Sequence, residues 1–160
     1  MMTDQQFTLL AQRYMDTIFR LAYHYTKSQA EADDITQEVL FKLYRADKAF
    51  ESEDHIKHWL LRVTINACKK ALLSPWRRTE PMEDHTAALP FPGPEHSQVM
   101  EAVLALPAKY RVPIYLHYYE GYSCEEVAAL LHIPSATVRT RLRRARALLK
   151  TDLQEADEHV

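Results

Sequence analysis

The chain has 160 residues, 47% of them hydrophobic and 26% charged, and its 20 Lys and Arg nearly balance its 22 Asp and Glu. This is the composition of a folded globular protein, and the net charge of −2 indicates no particular partner. Two glycines and two cysteines exclude a glycine-rich phosphate loop, a disulfide framework and a Cys-based zinc site. Two glycines also argue against a β-rich fold, and no apolar run has signal-peptide or membrane-spanning length, so we expect an all-α cytoplasmic protein without membrane insertion.

Prolines divide the chain into two parts. Five of the eight prolines, together with Gly93, fall between residues 75 and 94, where no helical period survives. We therefore expect a Pro-rich linker over residues 74–96, which joins two small helical modules, residues 1–73 and 97–160.

Three helices are predicted in the first module from apolar side chains spaced three and four residues apart. The first covers about residues 4–25 and the third about residues 54–72. The second begins at Ser28, with Glu31 completing a capping box. The core stripe expected for the third helix is Ile56, Leu60, Val63 and Ala67.

The second helix carries a further stripe that is polar and aromatic. Its members combine an acid, an amide and two rings at helical spacing: Asp34, Gln37, Phe41 and Tyr44. A solvated face would not ordinarily align two aromatic side chains, so this stripe is suited to a protein partner. Alternatively, the rings pack against a neighbouring helix of the same module, and periodicity alone leaves both interpretations open.

The third helix carries cations interleaved with an aromatic ring and an amide. These side chains are Trp59, Arg62, Asn66, Lys69 and Lys70, and Arg77 and Arg78 follow Trp76. Cations suit phosphates, a ring can stack on a displaced base, and an amide can read a base edge, so the pattern is compatible with nucleic acid. Considered alone, this helix is better explained as an amphipathic helix with solvated lysines and a core tryptophan.

The second module shows the pattern of a helix-turn-helix, two helices joined by a short turn with a strongly basic second helix. The expected signals are Ser97 as a cap, Pro107 in a first helical turn, Gly121 at a helix end, Ser123 with Glu126 as a capping box, a break at residues 132–134, and Ser135 as the cap of a last helix that ends near Lys150. The acidic tail after Asp152 is expected to be a solvated, frayed end.

The last helix combines one narrow apolar stripe with an excess of positive charge. Its stripe is Val138, Leu142, Ala145 and Leu149, and six cations without an acid lie between residues 139 and 150. Like charges four residues apart are unfavourable in an isolated helix, which makes phosphate the expected counterion. In a major groove, the side chains expected to face bases are Ser135, Thr137, Arg139, Thr140 and Arg143, and those expected to reach the DNA backbone are Arg144 and Arg146.

Three segments resemble, in order and spacing, motifs of bacterial sigma factors. DDITQEV at residues 33–39 resembles the DDxxQEvf box, WLLRVTIN at 59–66 resembles the tryptophan-containing stretch that follows it, and the residues from Glu125 to Arg146 resemble the EIAeiLgiPxGTVkSRlxRAr end. Two modules with a short linker are similar to the extracytoplasmic-function (ECF) group, the smallest of the sigma-70 family.

The resemblance implies roles that the residues alone leave open. A face with Asp33, Asp34, Gln37, Glu38 and Phe41 would dock on core RNA polymerase. The third helix and the loop before it would melt and read the −10 promoter element, and the last helix would read the −35 element. The resemblance further implies promoter DNA as a partner, restraint by an anti-sigma factor, and no catalytic residue, cofactor or metal.

The chain departs from the family pattern at three positions. His132 occupies a turn position that usually carries Gly and often needs φ > 0. Ala136 replaces the Gly of the GTV triplet, and Arg143 widens the cationic face. These departures bear on which promoter sequence is read.

Two other classes of protein would explain parts of this pattern. An ordinary helix-turn-helix regulator explains residues 98–150 but not the acidic and aromatic face of the second helix. A metal-dependent hydrolase would draw ligands from His24, His55, His58, Asp33, Asp34 and Glu38. Scattered solvated histidines are the better account of these residues. Cys68 and Cys124 are expected to be small helix-face residues, and nothing supports a redox switch.

Overall fold

The computed structural model describes residues 2–74 and 98–158, with side chains described as far as residue 155. Each of these two ranges belongs to a separate compact unit. Over the described ranges the chain contains seven helices and no strand, which confirms the all-α prediction. The expected linker lies outside the described residues except for Ser74, as do Ser97 and the arginines at 77 and 78.

The first unit contains α1 (Asp4–Thr26), α2 (Gln29–Arg45) and α3 (Glu53–Leu73). Each helix begins after a hydroxyl-bearing N-cap residue, Thr3, Ser28 or Ser52, whose oxygen accepts a hydrogen bond from a backbone N–H three residues later, at 3.1 to 3.2 Å. These caps satisfy N–H groups that have no partner within the helix. The predicted limits of the first and third helices and the predicted start of the second agree with the structure to within one residue.

The core side of α3 differs from the predicted stripe. Leu60 and Ala67 are buried as expected, but Ile56 and Val63 are only half-buried. The remaining buried side chains of this helix are Leu61, Thr64, Ile65 and Cys68. The reason is that α3 packs against both α1 and α2, so its buried arc is wider than one stripe and is rotated from the predicted centre.

The second unit contains α4 (Gln98–Ala105), α5 (Ala108–Ile114), α6 (Cys124–Leu131) and α7 (Ser135–Glu158). A π-helical turn, Tyr115–Tyr119, continues α5. Pro113 lies inside α5 and has no N–H, so the regular hydrogen-bond ladder is interrupted just before the turn. Arg111 is buried and its Nη1 donates to the Leu106 carbonyl at 2.7 Å, which satisfies an unpaired end of α4.

The α6–turn–α7 segment forms the predicted helix-turn-helix. Ser123 and Glu126 form the reciprocal capping box at the start of α6, with both bonds at 3.1 Å. Ser135 is the first residue of α7 rather than its cap, because the carbonyl of Pro134 accepts from the N–H groups of Thr137 and Val138.

The acidic end of the chain is helical, and the expectation of a frayed end after Asp152 is wrong. The last helix continues to Glu158. Leu153 is half-buried, one helical turn beyond Leu149, so the apolar stripe of α7 extends past Lys150. Partial burial of Leu153 favours the helical conformation of this segment.

The turn between α6 and α7 depends on a left-handed residue. His132 has φ 56° and ψ 45°, and its N–H donates to the Ala128 carbonyl as the C-cap of α6. We expect His132→Gly to raise the free energy of unfolding of the second unit by about 1 kcal/mol, because a residue with a Cβ is disfavoured in this conformation. Calorimetric unfolding of the full chain measures this change.

The reverse substitution supplies the control for His132→Gly. Gly121 has φ +77°, and no atom lies within 4 Å of a Cβ added there. Gly121→Ala should therefore lower the free energy of unfolding by about 1 kcal/mol through backbone strain alone. An unchanged or lower free energy of unfolding of the His132→Gly chain would contradict the left-handed conformation of His132.

The two cysteines differ in accessibility. Cys68 is buried, and burial, with the nearby carboxylates of Glu31 and Glu38, raises the pKa of its thiol to about 12. Cys124 is partly exposed at the start of α6. At pH 8 we expect a thiol-specific reagent to label Cys124 quickly in the native chain and Cys68 only after unfolding. Cys124→Ser should remove the fast phase; rapid modification of both thiols would contradict the burial.

Among the described residues, no helix combines the length and apolarity that a membrane span requires.

Candidate functional site

The outward face of α2 presents all five side chains assigned to polymerase docking. Asp33, Asp34, Gln37, Glu38 and Phe41 are exposed. The opposite side of the helix is buried in the core through Ile35, Val39 and Leu43. Helical periodicity explains this arrangement. When one stripe of a helix is buried in the core, the residues that lie between its members in the sequence face the solvent.

Phe41 is the apolar centre of this face. Its side chain is 58% exposed, which is unusual for a phenylalanine. The guanidinium of Arg45 lies 5.4 Å from the centre of the Phe41 ring, and the Glu38 carboxylate pairs with Lys42 at 3.2 Å. The result is an apolar ring framed by charged groups, the composition of a protein-binding patch.

Tyr44 has a different environment from Phe41. Its ring meets that of Phe7 edge-on, with centroids 5.2 Å apart, and its hydroxyl donates to Asp4 Oδ1 at 3.4 Å. Tyr44 is therefore engaged with α1, while Phe41 remains on the solvent side. Packing against a neighbouring helix therefore describes Tyr44 and does not describe Phe41.

The polar and aromatic side chains predicted on α3 differ in their exposure and in their contacts. Asn66, Lys69 and Lys70 are exposed, and Arg62 Nη2 donates to Asn66 Oδ1 at 2.9 Å. Trp59 is half-buried and meets the Phe50 ring edge-on, with centroids 5.5 Å apart. The Trp59 ring therefore packs partly against the loop before α3, and the cations form the more exposed part of this face.

The loop before α3 is held against α1 by a carboxylate. Glu53, the first residue of α3, accepts a hydrogen bond from the Tyr14 hydroxyl and pairs with Arg13. The hydrogen bond from Tyr14, followed by the hydrogen bond and the charge of Arg13, holds the pKa of Glu53 below its usual value. This contact therefore persists at neutral pH and weakens only as Glu53 becomes protonated in acid.

The exposed face of α7 divides into a centre and two flanks. With 3.6 residues per turn, the side chains opposite the core stripe include those of Ala136, Thr140, Arg143, Arg144 and Ala147. Thr137 and Arg141 lie on the flank toward α5, and Arg139 and Arg146 lie on the opposite flank. Arg144 and Arg146, which the sequence treated as equivalent, project about 160° apart around the helix.

A basic cleft of about 360 Å³ lies between α5 and α7. Its lining residues are Lys109, Tyr110, Ala136, Thr137, Thr140, Arg141 and Arg144. The cleft brings together three predicted DNA-binding residues and adds two cations, Lys109 and Arg141, that sequence reasoning missed. A single lysine at the start of α5 carries no signal in the sequence, because only the packing of α5 on α7 places it beside the arginines.

The cations on the other flank have partners within the protein. Arg139 pairs with Glu125, the second residue of α6, and its Nη1 donates to Ser135 Oγ at 3.3 Å. Arg146 Nη1 donates to the Tyr118 hydroxyl, in the π-helical turn, at 2.8 Å. The structure thus turns Arg146 toward its own unit, away from the centre of the exposed face.

Comparison with known proteins bears on both units. The chain matches the Sigma-70 region 2 family over residues 10–78 and the Sigma-70, region 4 family over residues 96–149. It is 31% identical to the ECF RNA polymerase sigma-E factor of Escherichia coli K12, over 94% of this chain and 88% of that protein. It is 30% identical to the RNA polymerase sigma-H factor of Pseudomonas aeruginosa, over 92% and 86%. The chain is an ECF sigma factor of the sigma-70 family.

Solved structures agree with this fold. The sigma factor has a TM-score of 0.70 and 22% identity to the sigma factor RpoE of Bartonella quintana, solved with the anti-sigma factor NepR; the match covers 94% of this chain and 98% of that one. With CnrH, solved with the cytosolic domain of CnrY, the TM-score is 0.64 at 23% identity, covering 96% and 90%.

The structure offers no ligand set for a metal-dependent alternative. Over the described residues of the sigma factor, no group of three or more His, Cys, Asp or Glu side chains could hold a metal ion. His24 is completely buried in α1, so the expectation of a solvated histidine is wrong at this position, whereas Asp33, Asp34 and Glu38 lie exposed on α2. The six residues considered as ligands therefore do not converge.

Proposed function

We propose that this sigma factor docks on bacterial core RNA polymerase through the exposed face of α2. The observation that carries the proposal is the exposure of Phe41 within a frame of charged side chains, on a helix whose other face is buried. A ring that is 58% exposed adds little to the core of the first unit, and it suits the centre of a protein interface.

The first unit, expected over residues 1–73, would open and read the −10 element. Lys69 and Lys70 suit contacts with phosphates, and Asn66 offers an amide near a base edge. Arg62, bonded to Asn66, adds a cation on the same face. Phe50 and Trp59 place aromatic surface beside these groups, as a displaced base requires.

The second unit, expected over residues 97–160, would read the −35 element with α7. Arg143 and Thr140 at the centre of the exposed face are suited to base edges, together with Ser135, Thr137 and Arg139. Arg144 and the basic cleft are suited to phosphates. Arg146 would contact the backbone only after leaving Tyr118.

Several properties follow from this role. The sigma factor would supply promoter specificity and strand opening while the polymerase carries out the chemistry, so it would not be an enzyme. It would act in the cytoplasm, without a cofactor. Restraint by an anti-sigma factor is supported by the similar fold of the sigma factor RpoE of Bartonella quintana, which was solved with the anti-sigma factor NepR.

Run-off transcription tests the proposal. Purified bacterial core polymerase would be incubated with sheared genomic DNA of the source bacterium, with and without the chain. Transcripts that start at a few discrete sites only when the chain is present are the expected result. Specific binding of the chain alone to duplex DNA without any transcription would instead favour an ordinary helix-turn-helix regulator.

A further inference from the structure

One acidic side chain lies among the cations of the DNA-facing surface of the second unit. Glu125 belongs to the first turn of α6, yet its carboxylate pairs with Arg139 of α7. Arg139 is also hydrogen-bonded to Ser135, so partners on two helices hold its guanidinium. Both members of the ion pair remain more than half exposed, and DNA that approaches α7 can reach them.

The exposure of this pair argues against a role in folding. An ion pair in high dielectric gains little, because water screens it and two long side chains lose freedom. Contacts among buried side chains, including Val127, Leu131, Val138 and Leu142, hold α6 against α7. The ion pair therefore mainly affects the local net charge and the side-chain orientation of Arg139.

Contacts with phosphates and contacts with base edges favour different properties of an arginine side chain. A phosphate attracts net positive charge, and a free, mobile guanidinium binds it on any sequence. A base edge offers neutral acceptors at defined positions, so an arginine that reads it must be oriented. A neighbouring carboxylate lowers the net charge and restricts the rotamer of Arg139, which opposes the first kind of contact and favours the second.

We propose that Glu125 is a positioning residue that makes Arg139 selective for promoter sequence. It weakens contacts of Arg139 with arbitrary DNA and presents the guanidinium in one orientation to the −35 element. This inference rests on the proposed function, since it requires that α7 read duplex DNA. It adds a residue on the helix before the recognition helix to those that set specificity.

The test compares Glu125→Gln with the unaltered full chain in binding to two duplexes. One carries a −35 element from a promoter mapped by run-off transcription, and the other is a shuffled sequence of the same composition. The ratio of the two dissociation constants should fall about twofold to fivefold, mainly through tighter binding to the shuffled duplex. The plot of log affinity against log salt should also steepen, by about one unit at most.

A double-mutant cycle shows whether Glu125 acts through Arg139. In an Arg139→Ala chain, Glu125→Gln should leave the ratio unchanged, because the side chain to be positioned is absent. Glu101→Gln, which removes an exposed acid of α4, serves as the control for net charge and should leave the ratio unchanged.

Several results would overturn the positioning role. Equal tightening on both duplexes would make Glu125 a simple repulsive charge, and the same ratio change in the Arg139→Ala chain would remove Arg139 from the explanation. If the unaltered chain discriminates between the duplexes and Glu125→Gln leaves the ratio of dissociation constants unchanged, the positioning role is wrong. Recognition of the −35 element by α7 would not be affected by that result. No discrimination by the unaltered chain would overturn both this inference and −35 recognition by α7.

Discussion

Phe41→Ala should weaken the affinity of the sigma factor for core RNA polymerase by about 30-fold or more, because a central aromatic side chain of a protein interface commonly contributes at least about 2 kcal/mol. The free energy of unfolding should change by less than about 0.5 kcal/mol, since the ring is largely solvated in the free chain. Titration of fluorescently labelled chain with core polymerase measures the first quantity, and thermal unfolding measures the second.

The first unit contains a matched control for Phe41. Leu9 on α1 is also 58% exposed, so Leu9→Ala removes apolar surface of comparable exposure outside the proposed docking face. It should leave the affinity for polymerase within about twofold. Equal losses for Leu9→Ala and Phe41→Ala, or full transcription by the Phe41→Ala chain, would show that the docking face is misplaced.

Arg143→Ala should weaken binding to promoter DNA by about 1–3 kcal/mol, while binding to shuffled DNA changes much less. Arg143 projects from the centre of the exposed face of α7, and over the described residues it makes no ion pair or hydrogen bond that would hold it against the protein. Its guanidinium is therefore free to meet a base edge. Competition binding with the two duplexes used for Glu125 measures the difference.

Lys109→Ala gives the contrasting result expected of a phosphate contact. Lys109 lines the basic cleft beside α7 and lies away from the centre of its exposed face. Its loss should weaken binding to both duplexes alike and reduce the salt slope by about one. A uniform loss for Arg143→Ala as well would make Arg143 a second phosphate contact and leave base reading to the other residues of α7.

Much of the fold could be predicted because it depends on local signals. Apolar spacing indicated the helices of both units, and side-chain caps such as Ser28 and Ser123 indicated where they begin. The turn position of His132 is left-handed, as the family pattern with glycine there suggested. These features need only neighbours a few residues away, so the sequence records them directly.

The predictions that failed concern packing between distant segments. The buried arc of α3 is rotated from the predicted stripe because two helices cover it, and the acidic end is helical because Leu153 extends the apolar stripe. A pattern along one helix does not show how many neighbours it will have. The sequence therefore located the helices more accurately than it assigned the core side of each.

The sequence by itself determined the two helical units, the helix-turn-helix and the residue types offered to polymerase and DNA. Only the tertiary structure separated Phe41 from Tyr44, placed Lys109 beside Arg144, and paired Arg139 with Glu125. The reason is that helical periodicity states which residues share a face. The partner of a charged or aromatic side chain on that face depends on which other helix packs beside it.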